Sequence, residues 1–399
     1  MIGIPRFDFV DVLCPDRRWP AAGGRVWAAV GGLSATRCQR TSLRPTPQAK
    51  PFAGESVVHF HEGMKLLILG GTEFVGRAFV DEALASGWQV TTFNRGTHED
   101  RVGVTALHGD RSQPNGLAAL STVAADSGEW DVVVDTWSWA PFAVRDAATL
   151  LKDRAERYVY ISSRSVYEYP APAGAGEDAP LVTADPDDNH ADDYARAKAG
   201  GELAAIAAFG DRALLLRAGL ILGPHENVGR LPWWLTRIAR GGPVLAPGRA
   251  DVGIQYVDAR DLAAFGLAAA RQGRGGPFNV VGPNSHSTMG ELLEACVAVT
   301  GSDATLRWTD PQLILDAGVQ PWTDLPIWLP AGEGYDTMHQ GDVSKAVAAG
   351  LHNRPVAETV ADSWDWLQTI GGVAPQRADR PPLGLDPAVE SRLLALGVE

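Results

Sequence analysis

A short apolar run, Lys65-Leu66-Leu67-Ile68-Leu69, ends in the turn Gly70-Gly71-Thr72-Glu73-Phe74-Val75-Gly76, and an amphipathic stretch follows from Val75 to Ser86. No other feature constrains the fold as strongly. The run has the length of a strand and the uniform apolarity of one buried on both faces. Strand, tight turn and helix together open a parallel α/β sheet. Glycine lets the backbone approach a pyrophosphate, and the helix N-terminus offers N–H groups and a favourable dipole. Gly70, Gly71, Thr72, Phe74, Val75 and Gly76 are therefore candidate dinucleotide-binding residues.

The next strands extend the same site. Trp88 to Phe93 forms a second strand and ends in Asn94-Arg95-Gly96. An NAD site usually places an acidic residue here for the ribose hydroxyls, whereas a cation suits a 2′-phosphate. Asn94 and Arg95 therefore favour NADP over NAD, unless Arg95 simply points to water. A third strand near Val104–Leu107 leads to Asp110, which either accepts a bond from the adenine amino group or caps the following helix. A fourth, Asp131–Asp135, leads into Thr136-Trp137-Ser138-Trp139. Ligands of open α/β sheets bind outside the carboxyl ends of the strands, so Trp137 is either a wall for nicotinamide or substrate, or packing between loops.

Downstream lie a serine-rich strand end, Tyr160-Ile161-Ser162-Ser163-Arg164-Ser165-Val166-Tyr167, and then Asp193-Tyr194-Ala195-Arg196-Ala197-Lys198. A phenol titrates near pH ~10 and is a poor base at neutrality, but a nearby ammonium favours the phenolate. Residues four apart share a helix face, so Tyr194 and Lys198 can converge on one cleft. A serine hydroxyl, here Ser163, can bond the substrate oxygen beside the tyrosine. Tyr-x-x-x-Lys alone is an ordinary helical pair. Behind a nucleotide turn and a serine, in that order, it points to proton transfer at a carbinol or carbonyl, coupled to hydride transfer with a nicotinamide.

From Met64 to about Leu367 the chain resembles the extended short-chain dehydrogenase/reductase family, also called the NAD-dependent epimerase/dehydratase family. The matching pieces are the Gly70–Gly76 turn, Asp110, Ser163 with Val166-Tyr167, Tyr194 and Lys198, Arg217 to Pro224, Ile254 to Asp261, and Phe278 to Gly282. The resemblance implies a Rossmann-type, doubly wound parallel sheet with a smaller C-terminal α+β substrate domain. It makes Ser163, Tyr194 and Lys198 a catalytic triad, with Lys198 also holding the nicotinamide ribose.

The chain departs from the family pattern in three places. Glu73 replaces the middle glycine of the turn, as in an atypical branch. Arg164 and Ser165 stand where sugar-nucleotide dehydratases carry an Asp-Glu pair, so elimination of water lacks its acid/base groups. Val252 stands where a phosphate-gripping arginine is common, with Arg249 only nearby. The family features imply an oxidoreductase acting on a small alcohol or carbonyl compound, with a sugar-nucleotide epimerase that recycles NAD internally as the alternative. A non-catalytic cofactor sensor or RNA-associated protein is a third possibility, but the relatives of that kind tend to lack the Tyr-x-x-x-Lys pair.

The net charge of −13 argues against a nucleic-acid partner, which needs a basic face. Three cysteines, Cys14, Cys38 and Cys296, show no metal-ligand spacing and fit a reducing cytoplasm. No apolar run reaches the ~18 residues of a membrane span. Residues 1–63 read differently from the rest: eight Lys and Arg against five Asp and Glu give +3, while the remainder carries −16. They are expected to be a disordered extension or a misassigned start, with Met64 the natural beginning of the fold. Residues 64–224 are expected to form the NAD(P)-binding domain. Residues 225–370 would be mainly the substrate region, with 253–282 returning to the first domain, and 371–399 a tail with a short helix. His225, Asn227, Arg230 and Trp233 are candidate substrate contacts, each also readable as structural. A small-molecule substrate is the expected partner, with a homodimer possible from the family's habit.

Overall fold

The computed structural model describes residues 63–126, 130–190, 192–377 and 382–396. The expectation for residues 1–63 lies, apart from Gly63, outside these. Seven strands form one parallel sheet in the order β11-β6-β5-β4-β1-β2-β3. They are β1 (Lys65–Leu69), β2 (Gln89–Asn94), β3 (Val104–His108), β4 (Trp130–Asp135), β5 (Ala155–Ser163), β6 (Ala213–Ala218) and β11 (Gly276–Val280). The order reverses between β1 and β4, as the doubly wound fold requires.

The alternation of side chains explains why both faces are buried. Leu66, Ile68, Val132, Val134, Val159, Ile161, Leu214 and Leu216 point to one face, where helices Phe74–Ala85 and Ala259–Arg271 contribute Phe79, Val80, Leu262 and Phe265. Leu67, Leu69, Val133, Tyr158, Tyr160 and Leu215 point to the other, against Val144, Ala147, Leu151, Ala204 and Phe209 of helices Phe142–Leu151 and Tyr194–Phe209. All the described carboxyl ends of β1 to β6 therefore open on the same side of the sheet.

The later part of the chain adds three two-stranded sheets. β7 (Leu220–Leu222) pairs with β10 (Tyr256–Asp258), β9 (Gly253–Ile254) with β12 (Ser287–Thr288), and β8 (Pro243–Pro247) with β13 (Thr305–Thr309). Segment 253–282 thus sends helix Ala259–Arg271 and β11 to the main sheet, while β9 and β10 find partners outside it. A third core gathers Leu231, Trp234, Ile238, Leu245, Leu292, Leu293, Trp322, Val360 and Leu367.

The tail helix Pro387–Leu396 is pinned to this core by Leu393 and by a buried ion pair. Arg237 Nε lies 2.9 and 2.7 Å from the Glu390 carboxylate oxygens, Arg237 also donates to Pro243 O (2.6 Å), and Leu245 N donates to Glu390 (3.2 Å). Removing one partner of a buried pair leaves the other charge uncompensated. Glu390→Ala is therefore expected to cost about 3–5 kcal/mol in a urea unfolding titration. An unchanged midpoint would show that the tail helix adds nothing to the core. Among the described residues, no helix is long and apolar enough to cross a membrane.

Candidate active site

Two clefts open at the carboxyl ends of the strands. The first, about 820 Å³, runs from the β1 turn (Gly70, Gly71, Thr72) past Asn94 and Arg95 after β2 and Asp110 after β3, to Thr136 and Trp137 after β4. The second, about 300 Å³, is lined by Phe74, Val75 and Gly76, by Ser163 and Arg164, by Ala218 to Ile221, and by Asn227 and Arg230. Glu73, Thr136, Ser138, Tyr194 and Arg377 line both. Tyr194 thus stands where the two clefts meet.

The first cleft has the features of a dinucleotide site. Gly70 and Gly71 take positive φ angles of 125° and 100°, and a Cβ on Gly70 would collide with the Thr136 hydroxyl. The helix that follows begins without a side-chain cap and without an acidic residue in its first turn, and its first residues, Phe74, Val75 and Gly76, line the second cleft. Asn94 accepts from Gly96 N through Oδ1 (2.7 Å) and leaves its buried Nδ2 without a partner among the described residues, a donor suited to a ribose oxygen. The Asp110 carboxylate takes two bonds from Ser112, from N (2.9 Å) and Oγ (2.6 Å), which together with nearby Arg95 hold it below the usual carboxylate range.

Glu73 turns outward. Its carboxylate lies 3.0 Å from His98 Nε2 and accepts from Asn227 Nδ2 (3.1 Å), so it joins the rim of the first cleft to that of the second.

The residues around Tyr194 are placed by local rules. Asp193 caps the helix by accepting from Arg196 N (3.0 Å), which makes Tyr194 its first residue and sets the phenol at the positive end of the helix dipole. Ser163 ends β5, and its hydroxyl accepts from Ser165 N (3.1 Å) and bonds Ser165 Oγ (2.9 Å). Lys198 lines neither cleft. It is buried one turn behind Tyr194, with Nζ donating to Trp137 O (2.7 Å) and Ile161 O (2.6 Å) and lying 4.9 Å from the centre of the Tyr160 ring. Burial brings its pKa down to about 7, against the favourable charges of Asp135 and Glu202.

The sequence profile of the NAD-dependent epimerase/dehydratase family matches residues 66–282, more than half of the chain. The chain belongs to that family. No curated protein sequence matches it. The Bordetella bronchiseptica enzyme WbmH in complex with NAD+ superposes with a TM-score of 0.56 at 16% identity, over 78% of this chain and 100% of that one. The Bacillus cereus UDP-glucuronic acid 4-epimerase with NAD gives 0.54 at 16%, over 77% and 99%. The Thermotoga maritima UDP-glucose 4-epimerase with UDP-glucose gives 0.54 at 16%, over 77% and 99%. At these identities the likeness is one of fold.

Within this epimerase/dehydratase framework the sequence-based candidates fall into three groups. The turn residues, Asn94, Arg95, Asp110, Trp137, Ser163, Asn227 and Arg230 line one cleft or the other, and Tyr194 lines both. Lys198 sits behind them, as described. His225 and Trp233 line neither of these two clefts. His225 adopts a positive φ of 69° and packs on Trp366, and burial pushes its imidazole down to about 4. Trp233 is buried against Trp234 and the tail at Gly384.

The clefts also hold residues that no motif singles out. Thr136 and Ser138 belong to the loop after β4, whose position strand order does mark. Arg377 comes from the segment after helix Val356–Thr369, beyond the family match, and nothing in its neighbourhood announces it.

Proposed function

We propose that the protein is a nicotinamide-dependent enzyme acting at a carbinol carbon with Tyr194 as acid/base, and that it holds NAD and recycles it in place as a sugar-nucleotide epimerase does. The observation that carries this is the meeting of the two clefts at Tyr194, with Ser163 in the second and Lys198 buried behind. When bound, the nicotinamide takes up or returns a hydride at the carbinol carbon. The chain's residues handle the proton. Ser163 Oγ holds the substrate oxygen, Tyr194 removes and returns its proton, and the Lys198 ammonium and the helix N-terminus favour the phenolate. The Gly70–Gly76 turn and the uncapped helix would hold the pyrophosphate, and Asn94 the adenosine ribose.

Arg95 speaks for NADP on sequence grounds. Two further observations support NAD. Asp110 brings a carboxylate into the same cleft, near enough to feel the charge of Arg95, where it would repel a 2′-phosphate. Two of the superposed enzymes hold NAD. The names of the neighbouring 4-epimerases support the sugar-nucleotide substrate. A reductase of a small alcohol or carbonyl compound is the second reading, favoured by the modest 300 Å³ of the second cleft, at the small end of ligand pockets.

Extraction of nucleotide from the purified full chain is expected to yield one NAD per chain, with a transient reduced-nicotinamide absorbance on addition of UDP-glucose or UDP-glucuronic acid. An empty protein that binds NADPH more tightly than NADH would overturn the epimerase assignment in favour of the reductase.

A further inference from the structure

Lys198 is held by two carbonyls, one from a strand and one from a loop. Ile161 O belongs to β5, inside the sheet, whereas Trp137 O belongs to the loop after β4. A lysine side chain is long and rotamer-rich, so where its ammonium rests depends on how firmly its acceptors are placed. The loop is tied to β1 by Thr136, whose N and Oγ1 both donate to Leu69 O (3.3 and 3.0 Å), and Trp137 itself has four contacts. Its N–H donates to Asp135 Oδ1 (2.9 Å), its carbonyl also accepts from the Tyr160 hydroxyl (3.2 Å), its indole N–H donates to Ala140 O (2.9 Å), and the Arg111 guanidinium lies 4.7 Å from its ring centre.

Asp135 anchors this set. It is fully buried and accepts from four donors: two Arg111 nitrogens (2.8 and 2.6 Å), the Tyr158 hydroxyl and Trp137 N. Only a carboxylate offers acceptors to all four. An asparagine would turn an NH₂ group toward two of them. Arg111 in turn lines the first cleft, so the chain of contacts runs from the cofactor side to the ammonium. Asp135, Glu202 and Arg111 act on that ammonium through charge and the Tyr160 ring lies beside it, while Tyr194 precedes it by one turn of the helix.

We propose that Asp135 is a positioning residue for Lys198, fixing the Trp137 peptide so that its carbonyl holds the ammonium behind Tyr194. The proposal rests on the assignment of Tyr194 and Lys198 as the acid/base pair. A purely structural Asp135 would alter stability without raising the Tyr194 midpoint, since loss of a nearby negative charge by itself favours the phenolate.

The test follows phenolate absorbance against pH in the full-length protein, with the Tyr194 contribution taken as the difference from Tyr194→Phe. Asp135→Asn is expected to raise the Tyr194 midpoint by about one pH unit. Tyr158→Phe, which keeps the packing and the Arg111 pair, should raise it by a smaller amount, and Lys198→Met by at least as much as Asp135→Asn. ADP binding reports that the adenine half of the site survives. A midpoint that moves in Lys198→Met and stays fixed in both Asp135→Asn and Tyr158→Phe overturns the positioning role. If Asp135→Asn does not fold, an unmoved midpoint in Tyr158→Phe overturns it alone. A midpoint unmoved in Lys198→Met overturns the acid/base pair itself, which separates the two failures.

Discussion

Tyr194→Phe is expected to abolish most of the enzyme's turnover, by about 10²–10⁴-fold, while leaving NAD binding almost unchanged. The substitution removes one oxygen and keeps the ring that lines both clefts. Asp193 still caps the helix and Lys198 keeps both carbonyls, since neither contact involves the phenol. The loss therefore falls on the proton transfer. Single-turnover reduction of bound nicotinamide measures it directly, because oxidation of a carbinol cannot finish without a base for its proton. Lys198→Met should bring a comparable loss by a different route, since the phenol is present but titrates higher. Full activity in Tyr194→Phe would exclude acid/base catalysis by this residue and move the non-catalytic, cofactor-sensing role, the third possibility, to first place.

The parts of this site that local patterns encode are legible in the sequence itself. An apolar run followed by glycines is a strand and turn in almost any context, and β1 and its helix lie within a residue of where the pattern puts them. The spacing of Tyr194 and Lys198 places both on one helix turn, and the strand-end position of Ser163 places it at the cleft.

The parts that local patterns do not encode depend on segments far apart in the chain. Arg111 comes from the loop after β3 and Asp135 from the end of β4, and nothing in either neighbourhood marks them as partners. Trp137 reads as either a wall or packing; it lines the first cleft, and its carbonyl accepts from Lys198. His225 and Trp233 flank a helix start whose sequence suggests a substrate-facing role. The helix Arg230–Ala239 buries Leu231, Trp234, Leu235 and Ile238 in its own core, and that demand turns Trp233 inward toward the tail. Packing of this kind depends on residues near position 384, which no window around Trp233 contains.

Gly76→Ala is expected to weaken NAD binding by about ten- to a hundred-fold and to cost about 1–3 kcal/mol of stability. Gly76 is the third residue of the helix Phe74–Ala85 and is buried beneath the turn. A Cβ there would come within 2.6 Å of Gly71 N and 2.9 Å of Gly71 Cα. Both are backbone atoms of a residue held at φ 100°, so no side chain can swing aside and the turn itself must open. Opening displaces the N–H groups that would face the pyrophosphate, which couples the steric cost to affinity.

Gly87 provides the control. Unlike Gly76 it has a positive φ, 74°, a Cβ on it meets nothing within 4 Å, and it lies just past the far end of the same helix. Gly87→Ala should therefore lose about 1–2 kcal/mol through backbone strain and keep its NAD affinity. Titration of NADH by tryptophan fluorescence, alongside urea unfolding of both variants, separates the two costs. Wild-type affinity in Gly76→Ala would mean that the dinucleotide does not lie over this turn, and the first cleft would lose its assignment.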